Sequence, residues 1–521
     1  MMHTAKAGVA VEDQGEVIGF LSRAESYAHG AGGGPVERIE THISIVFLVG
    51  ARAYKLKRAV RYPYLDFSTR DLRRAFAEAE VAVNRRTAPG LYLGAVPVTR
   101  AADGRLALGG EGEPVEWLVE MARFDQACLF DRLAQAGALD VRRMEELAET
   151  VARFHERAEP RPAADAVAGL GRTIAGNAAS FAPFAGALFE AAEVARLIRS
   201  QEAALERQGE LLEARRRTGR VRHCHGDLHL RNVCLFDGRP VLFDAIEFNP
   251  AFADIDVLYD LAFLLMDLDH RGLRGLAGVV FNRYMDLAAD AGGLPLLPLF
   301  LSLRAAIRAH VSAAAAGTDV RGAAGLRDEA RAYLKLALDY LAPPPPRLVA
   351  IGGLSGTGKS SLARGLAPEI GAAPGARVVR SDVVRKRLAG VSPTTRLGAE
   401  GYTAEMTERT YGACYAEIEA VLRAGHGAIA DAVFARPEQR LAVARVAGDL
   451  GVPFQGIWLD APARVLAERV EGRRGDASDA TPEIVLSQLA HDPGPVAWTA
   501  VDAAGGPEEM LARAQRALGL A

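Results

Sequence analysis

RHCHGDLHLRNVCLF, running from Arg222 to Phe236, sets three histidines, two cysteines, an aspartate and an asparagine within fifteen residues. Two chemistries compete for it. Zinc is conceivable, since His225 and His229 are four apart and Cys224 and Cys234 flank them. Yet no cysteine or histidine pair here has zinc-ribbon or zinc-finger spacing. An H-x-x-x-H pair also needs a helix, whereas His223–Asn232 lies between β-like segments. The second reading takes Asp227, Asn232 and Asp244. H-x-D followed after four residues by Asn is the spacing of a phosphoryl-transfer catalytic loop, and the strand PVLFD (Pro240–Asp244) then delivers a further aspartate. That reaction asks for one carboxylate near the acceptor hydroxyl and two oxygen ligands for magnesium. Asp227 can orient or deprotonate the acceptor, while Asn232 and Asp244 can hold metal as hard oxygen donors. On this motif alone a polar loop whose side chains satisfy their own backbone remains open.

Upstream residues narrow the choice. AYKLK places Ala53 and Lys55 two apart on one strand face, as a phosphate-gripping lysine requires, and Lys57 shares that face as the alternative. Glu80 in the next helix is positioned to pair with the lysine; Glu78 competes, and a solvated helix charge is the bland reading of either. LVEM (Leu118–Met121) would connect two lobes and offer backbone groups to adenine. Around these residues, Glu37–Arg58 reads as a β-hairpin, Asp71–Arg86 as a charged helix and Glu113–Phe124 as a strand. From Leu139 to about Leu212 the pattern is helical, with Met144, Leu147, Val151 and Phe154 on one face. More helices follow to residue 341. The expectation is a β-rich small lobe to about residue 121 and a helical lobe after it.

The order lysine strand, glutamate helix, connecting strand, HGDLHLRN and LFDAIEF resembles the aminoglycoside phosphotransferase family, a small-molecule branch of the protein-kinase-like fold. The resemblance covers roughly residues 36–340. It implies an α+β bilobal fold, Asp227 as catalytic base, Asn232 and Asp244 as magnesium ligands, and Lys55 with Glu80 as the phosphate clamp. Two departures stand out. No G-x-G-x-x-G precedes Lys55, so Thr41, His42 or Ser44 near the hairpin turn is left to touch phosphate. There is also no recognisable activation segment, which suits a small-molecule kinase. Asp254, Asp256 and Asp260 are expected to cap a helix or brace the catalytic loop rather than to attract a cationic substrate.

Four prolines, Pro343–Pro346, divide the chain. Gly325–Leu341 before them reads as an amphipathic helix and Arg347–Ile351 after them as a buried strand. That strand runs into GLSGTGKSS, which meets G-x-x-x-x-G-K-[ST] in full and opens a helix. Backbone N–H groups of Gly353, Ser355, Gly356, Thr357, Gly358 and Ser361 with the helix N-terminus can cradle phosphates. Lys359 reaches the β/γ oxygens and Ser360 ligates magnesium. Beyond it RVVRSD, GAIADAVF, FQGIWLDA and AWTAVDA alternate with helices, predicting a parallel five-stranded α/β sheet with ligands at the strands' C-terminal ends. Asp382 and Asp431 end two of these strands, followed by Arg385, Lys386, Arg436 and Arg440. Asp382 is the candidate catalytic carboxylate there. Arg469, Arg473 and Arg474 precede a polar turn, like a mobile lid; solvated helix arginines are the bland reading. Residues 347–521 resemble P-loop kinases of the gluconate-kinase, chloramphenicol-phosphotransferase and zeta-toxin kind.

Composition sets the outer bounds. A chain of 521 residues exceeds one core, so two or three domains are expected. Acidic residues outnumber basic ones by 65 to 62, which points to neither a nucleic-acid nor a membrane partner. Four cysteines without a C-x-x-C pair suit a reducing, cytoplasmic setting. No apolar run is expected to span a bilayer. Lysine is scarce, with only Lys6, Lys55, Lys57, Lys335, Lys359 and Lys386. A lysine kept in such a chain tends to sit where a compact ammonium is needed. Residues 1–35 are expected to be a partly mobile N-terminal segment, including residues 1–15 and Gly30–Gly34. Residues 36–342 and 347–521 are expected to form the two domains, joined by the proline linker 343–346. The sequence thus predicts an ATP- and Mg2+-dependent phosphotransferase with two nucleotide sites acting on small-molecule hydroxyls. Its alternatives are a regulatory P-loop ATPase with a non-catalytic kinase-like half, or a toxin-like kinase of a macromolecule.

Overall fold

The structure is a computed structural model that describes residues 9–10, 12–27, 35–62, 65–317, 322–471, 478–490 and 492–520. The expectations for Gly30–Gly34, for Arg473 and Arg474, and for most of residues 1–11 fall outside the described residues. The chain forms two units: Met1–His270 with Leu299–Leu341, and Arg271–Pro298 with Ala342–Ala521.

In the first unit an antiparallel six-stranded sheet runs, in spatial order, Glu37–Glu40, Ser44–Val49, Arg52–Lys57, Glu113–Ala122, Tyr92–Arg100 and Leu106–Leu108. The period-two alternation of Arg52–Lys57 sends Tyr54 and Leu56 to one face, where they pack with Val17, Phe20, Phe47 and Leu118. Ala53 faces the other way, against Ala77 and Val81 of the helix Arg70–Asn84. That helix begins where the Thr69 hydroxyl accepts the Leu72 N–H at 3.3 Å.

Three expectations change here. The hairpin over Glu37–Arg58 is three strands, because a turn at Gly50 adds a second reversal. Tyr92–Arg100 and its partner Leu106–Leu108 were not foreseen; Gly94 and Pro97 mask the strand pattern, and the register shifts between Tyr92 and Gly94. The segment before residue 36, expected to be partly mobile, packs in part on the sheet. The helix Gly15–Leu21 buries Val17, Phe20 and Leu21 on the sheet. The Gln14 amide donates to Lys57 O and Glu116 Oε2 at 3.0 and 2.8 Å, tying this segment to the sheet.

The helical lobe contains Val141–Arg157, whose Met144, Leu147, Val151 and Phe154 are buried as the spacing predicted. It also contains Ala166–Phe181, Ala191–Arg217, Val257–His270 and Ala323–Tyr340. Two short antiparallel pairs frame the opening motif: Val221–His223 with Asp254–Asp256, and Val233–Phe236 with Arg239–Leu242. By length and composition one segment among the described residues, Ala291–Ala316, reaches bilayer-crossing apolarity, contrary to the sequence expectation. Of its most apolar 18-residue window 72% is buried within the protein, which accounts for its hydropathy as core.

The second unit is the expected parallel sheet, ordered Arg377–Arg380, Ala428–Asp431, Leu348–Gly353, Phe454–Asp460 and Thr499–Asp502. Its central strand Leu348–Gly353 is buried at every position, as a parallel strand covered on both faces must be.

Chain order alone does not define this unit. The helix Arg274–Ala288 and the turn Ala291–Leu296, which precede the prolines by some fifty residues, belong to it. Arg377–Arg380 is an edge strand, and Asn282 covers that edge. Its Oδ1 accepts the Val378 N–H at 2.7 Å and its Nδ2 donates to Ala376 O at 3.1 Å. Buried Arg377 meets Asp286 at 2.7 Å and Glu417 at 2.8 Å. Edge N–H and C=O groups need partners, and this helix supplies them. The boundary expected at the prolines therefore marks where the sheet begins, but Arg271–Pro298 crosses it.

Candidate active sites

In the first unit, Lys55 and Lys57 both turn toward the helix Arg70–Asn84 and share one carboxylate. Lys55 Nζ lies 2.8 Å from Glu80 Oε1 and Lys57 Nζ 2.6 Å from Glu80 Oε2. The structure thus separates the two candidate glutamates. Glu80 is fully buried, whereas Glu78 pairs with Arg74 at the surface. The lysines also divide their roles. Lys57 is buried and closed off by Glu247 at 2.5 Å, while Lys55 remains partly accessible and reaches Asp244 Oδ1 at 2.6 Å. Burial would raise the Glu80 carboxyl, but the two ammoniums hold it down at about 2. Glu247 was missed, although it stands three residues past Asp244 in the quoted LFDAIEF.

The loop after His223 presents Asp227, Asn232 and the facing strand end. Asn232 Nδ2 donates to Asp227 Oδ2 at 2.9 Å and to Asp227 O at 3.0 Å, which directs the amide oxygen to the opposite side. His229 Nε2 lies 3.4 Å from Asp227 Oδ2. Burial pushes the Asp227 carboxyl up, but the neighbouring His229, followed by His225 and Arg304, brings it well below the carboxylate range. Asp244 sits at φ 61°, a left-handed conformation costly for a side chain with a Cβ. The Tyr92 hydroxyl accepts its N–H at 3.1 Å and the Asn84 amide oxygen accepts the next N–H, of Ala245, at 2.8 Å. Tyr92 and Asn84 were not read from the sequence; only the fold brings them under Asp244.

What holds the loop comes mostly from Val257–His270. Asp260 and Asp267 are seven apart, two turns of helix, and so share a face. Asp260 accepts the N–H groups of His225 and Gly226 at 3.0 and 2.8 Å, and Asp267 accepts that of Leu230 at 3.0 Å. Against the pull of burial, the hydrogen bond and charge of His155 hold Asp260 at about 2. Asp256 pairs with Arg215, and Asp254 with His223 and Arg161, so all three acids brace as expected. Gly226, at φ 84°, allows the tight approach: a Cβ there would lie 2.8 Å from Phe252 O. Arg304, which the sequence reading missed, donates to Gly226 O at 3.1 Å and stacks on Tyr259. Thr41 and Ser44 close the hairpin turn on one another, their hydroxyls 2.9 Å apart.

Two sets of donors lie near the loop. His155, Cys224 and Asp260 approach within 4.8 Å of one another, yet Asp260 Oδ2 is already engaged by His155 and the His225 N–H. Burial pushes the Cys224 thiol far above its ordinary value, which opposes thiolate ligation. The Asn232 amide oxygen and the Asp244 carboxylate are hard oxygen donors and fit magnesium.

In the second unit the strand Leu348–Gly353 feeds the loop Leu354–Gly358 and the helix Lys359–Leu366. Gly356 has φ 91°, and a Cβ there would strike Leu466 O at 2.7 Å. Lys359 Nζ and Thr357 Oγ1 both donate to Leu354 O, at 2.9 and 2.8 Å. The Ser360 hydroxyl donates to Asp431 Oδ2 at 2.6 Å, joining the P-loop to the tip of the adjacent strand. Ser355, Lys359, Ser360, Asp382 and Asp431 line one cavity of about 280 Å³. Burial raises the Asp382 carboxyl, suiting it to take up a proton. Ser361 faces outward on the first helical turn.

The remaining basic residues separate. Lys386 is fully buried against Asp479 at 3.0 Å, and Arg440 holds the carbonyls of Phe434 and Pro493. Arg469 does not line the cavity; it donates to Ala503 O and Gly505 O, both at 2.8 Å, fastening the loop after Thr499–Asp502. Arg473 lies outside the described residues.

Comparison with known proteins agrees with this geometry. The pattern of the Phosphotransferase enzyme family matches residues 52–299, from the lysine strand through the catalytic loop and its bracing helix, and that of an AAA domain matches residues 348–492. The chain joins a phosphotransferase-family domain to a P-loop kinase domain. An uncharacterized protein of Mycobacterium tuberculosis (strain ATCC 25618 / H37Rv) is 29% identical over 482 residues, 91% of this chain and 94% of its own. An adenylyl-sulfate kinase of Myxococcus xanthus (strain DK1622) is 30% identical over 142 residues, 27% of this chain and 69% of its own. Among solved structures, a choline/ethanolamine kinase family protein from Mesorhizobium loti covers 61% of this chain and 97% of its own, at 14% identity and a TM-score of 0.35. A gluconokinase from Sinorhizobium meliloti 1021 covers 33% and 92%, at 23% identity and a TM-score of 0.25. The two family matches support phosphoryl transfer of kinase type.

Proposed function

We propose that this phosphotransferase has two ATP sites, each passing the γ-phosphoryl group to a hydroxyl of a small molecule. The observation that carries the reading is the Lys55 ammonium, held by Glu80 at 2.8 Å and Asp244 at 2.6 Å. A lysine placed so can grip nucleotide phosphates beside the metal-binding carboxylate. In the first unit Asp227 takes the proton of the attacking hydroxyl, and Asn232 and Asp244 hold magnesium. In the second, Lys359 serves the phosphates, Ser360 with Asp431 behind it holds magnesium, and Asp382 receives the acceptor proton. Bound magnesium neutralises phosphate charge as it develops. The intact Lys55, Glu80, Asp227, Asn232 and Asp244 favour this reading over a non-catalytic first half.

The test is acceptor-dependent ADP formation by the full chain with aminoglycosides, amino alcohols and sugars, in wild type, Asp227→Ala and Lys359→Ala. Asp227→Ala should abolish one set of phosphorylated products with nucleotide affinity little changed, and Lys359→Ala the other. ATP turnover that ignores every acceptor, or unaltered products in both variants, would refute it.

A further inference from the structure

Beside the phosphate-gripping Lys55 stands a second lysine. Lys57 follows it by two on the strand Arg52–Lys57 and turns to the same side, toward Glu80. Accessibility separates an outer ion pair from an inner one. The Lys55 and Asp244 side chains are 16% and 44% exposed, whereas those of Lys57 and Glu247 are 2% and 8% exposed. Nucleotide and metal can therefore reach the outer pair and not the inner. Phe67 closes the inner pair further, with its ring centre 4.8 Å from Lys57 Nζ.

Glu80 is the junction between the two. Its Oε1 accepts from Lys55 at 2.8 Å and its Oε2 from Lys57 at 2.6 Å. A carboxylate left to one ammonium can bring both oxygens to it. Lys57 prevents this by occupying Oε2, so Lys55 keeps donors for its open side. Lys57 is held in turn by Glu247 Oε1 at 2.5 Å. Glu247 stands on the segment that carries Asp244. That segment is fixed where Asn84 Oδ1 accepts the Ala245 N–H at 2.8 Å and the Ile246 N–H donates to His225 O at 3.0 Å. When magnesium takes Asp244 and phosphate takes Lys55, the outer pair must part. The inner pair need not, because neither of its groups is recruited. Separating it would leave two buried charges uncompensated.

We propose that Lys57 and Glu247 are positioning residues for the first nucleotide site. The buried pair persists through nucleotide binding, keeps Glu80 Oε2 occupied and so holds the Lys55 ammonium toward the phosphates. This rests on the phosphotransfer reading of Lys55. Charge alone gives Glu247 the opposite sign, since deleting a buried anion near the site should strengthen the binding of a polyanionic nucleotide. Positioning makes the same deletion weaken it.

The test is calorimetric titration of the full chain with a non-hydrolysable ATP analogue and magnesium, in a Lys359→Ala parent that removes the second site. Lys57→Met and Glu247→Ala should each weaken binding roughly 10- to 100-fold, the range of one charge-assisted hydrogen bond, with the number of sites per chain unchanged. Glu247→Gln keeps an oxygen for Lys57 and should retain part of the affinity. Because Glu247 acts through Lys57, the double variant Lys57→Met/Glu247→Ala should bind no more weakly than Lys57→Met alone. Unchanged affinity in Lys57→Met, tighter binding by Glu247→Ala, additive losses in the double variant, or fewer sites at unchanged affinity would overturn the proposal. If Lys57→Met does not fold, Glu247→Ala against Glu247→Gln decides in its place, and equal binding by those two would overturn it. Failure of the Lys359→Ala parent to bind the analogue would instead strike the phosphotransfer reading.

Discussion

Replacing Glu80 by Gln removes one charge from a place where two depend on it. The side chain is fully buried, with Lys55 and Lys57 ammoniums at 2.8 and 2.6 Å. Its carboxyl is held at about 2 against an ordinary value of 4.5. That difference corresponds to roughly 3 kcal/mol of stability above the unfolded-state value. An independent route agrees: breaking a buried ion pair by removing one partner costs about 3–5 kcal/mol. Glu80→Gln should therefore destabilise the first unit by about 3 kcal/mol, and Glu78→Gln, which breaks only the surface pair with Arg74, by less than about 1 kcal/mol. The sign with pH follows from a lowered carboxyl. The contribution is complete above about pH 4.5 and is lost as pH falls toward 2, so the gap between wild type and Glu80→Gln should close in acid. Urea unfolding with hydrogen exchange of peptides from Arg52–Asn84 reads this unit apart from the other. Equal stability of Glu80→Gln and wild type at pH 7, or a gap that does not shrink in acid, would refute the ion-pair account.

Two further outcomes follow from the same structure. Gly226→Ala puts a Cβ 2.8 Å from Phe252 O at φ 84°, so it should displace the catalytic loop and depress phosphorylation by the first unit. Normal acceptor turnover in that variant would remove the loop's close approach as a requirement. A fragment of residues 347–521 lacks Asn282 and Asp286, which leaves the Arg377–Arg380 edge uncovered and Arg377 short of one carboxylate. It should unfold at lower temperature than the same unit in the full chain, and tethering residues 271–298 to it should restore the midpoint; identical midpoints without that segment would contradict the role given to the helix.

Local chemistry in this chain is legible because it is written in short spacings. The P-loop, the Asp227–Asn232 loop and Asp244 each lie within a few residues of a strand end, and a strand's period of two already puts Ala53, Lys55 and Lys57 on one face. The scarcity of lysine was informative for the same reason. Lys55, Lys57 and Lys386 each end in a buried or half-buried ion pair, whereas Lys335 stays on the surface. Burial could not be read that way. Glu78 and Glu80 are equivalent as letters, and only the helix rotation set by Ala77 and Val81 packing on Ala53 puts one inside and one in water. Asn84, Tyr92, Glu247 and Arg304 act through contacts across long stretches of chain, for which no local spacing exists. The extent of the second unit is of the same kind. The prolines announce where its sheet starts, but the cover for its edge comes from Arg274–Ala288, because an exposed strand edge takes its partners from whatever the tertiary fold brings to it.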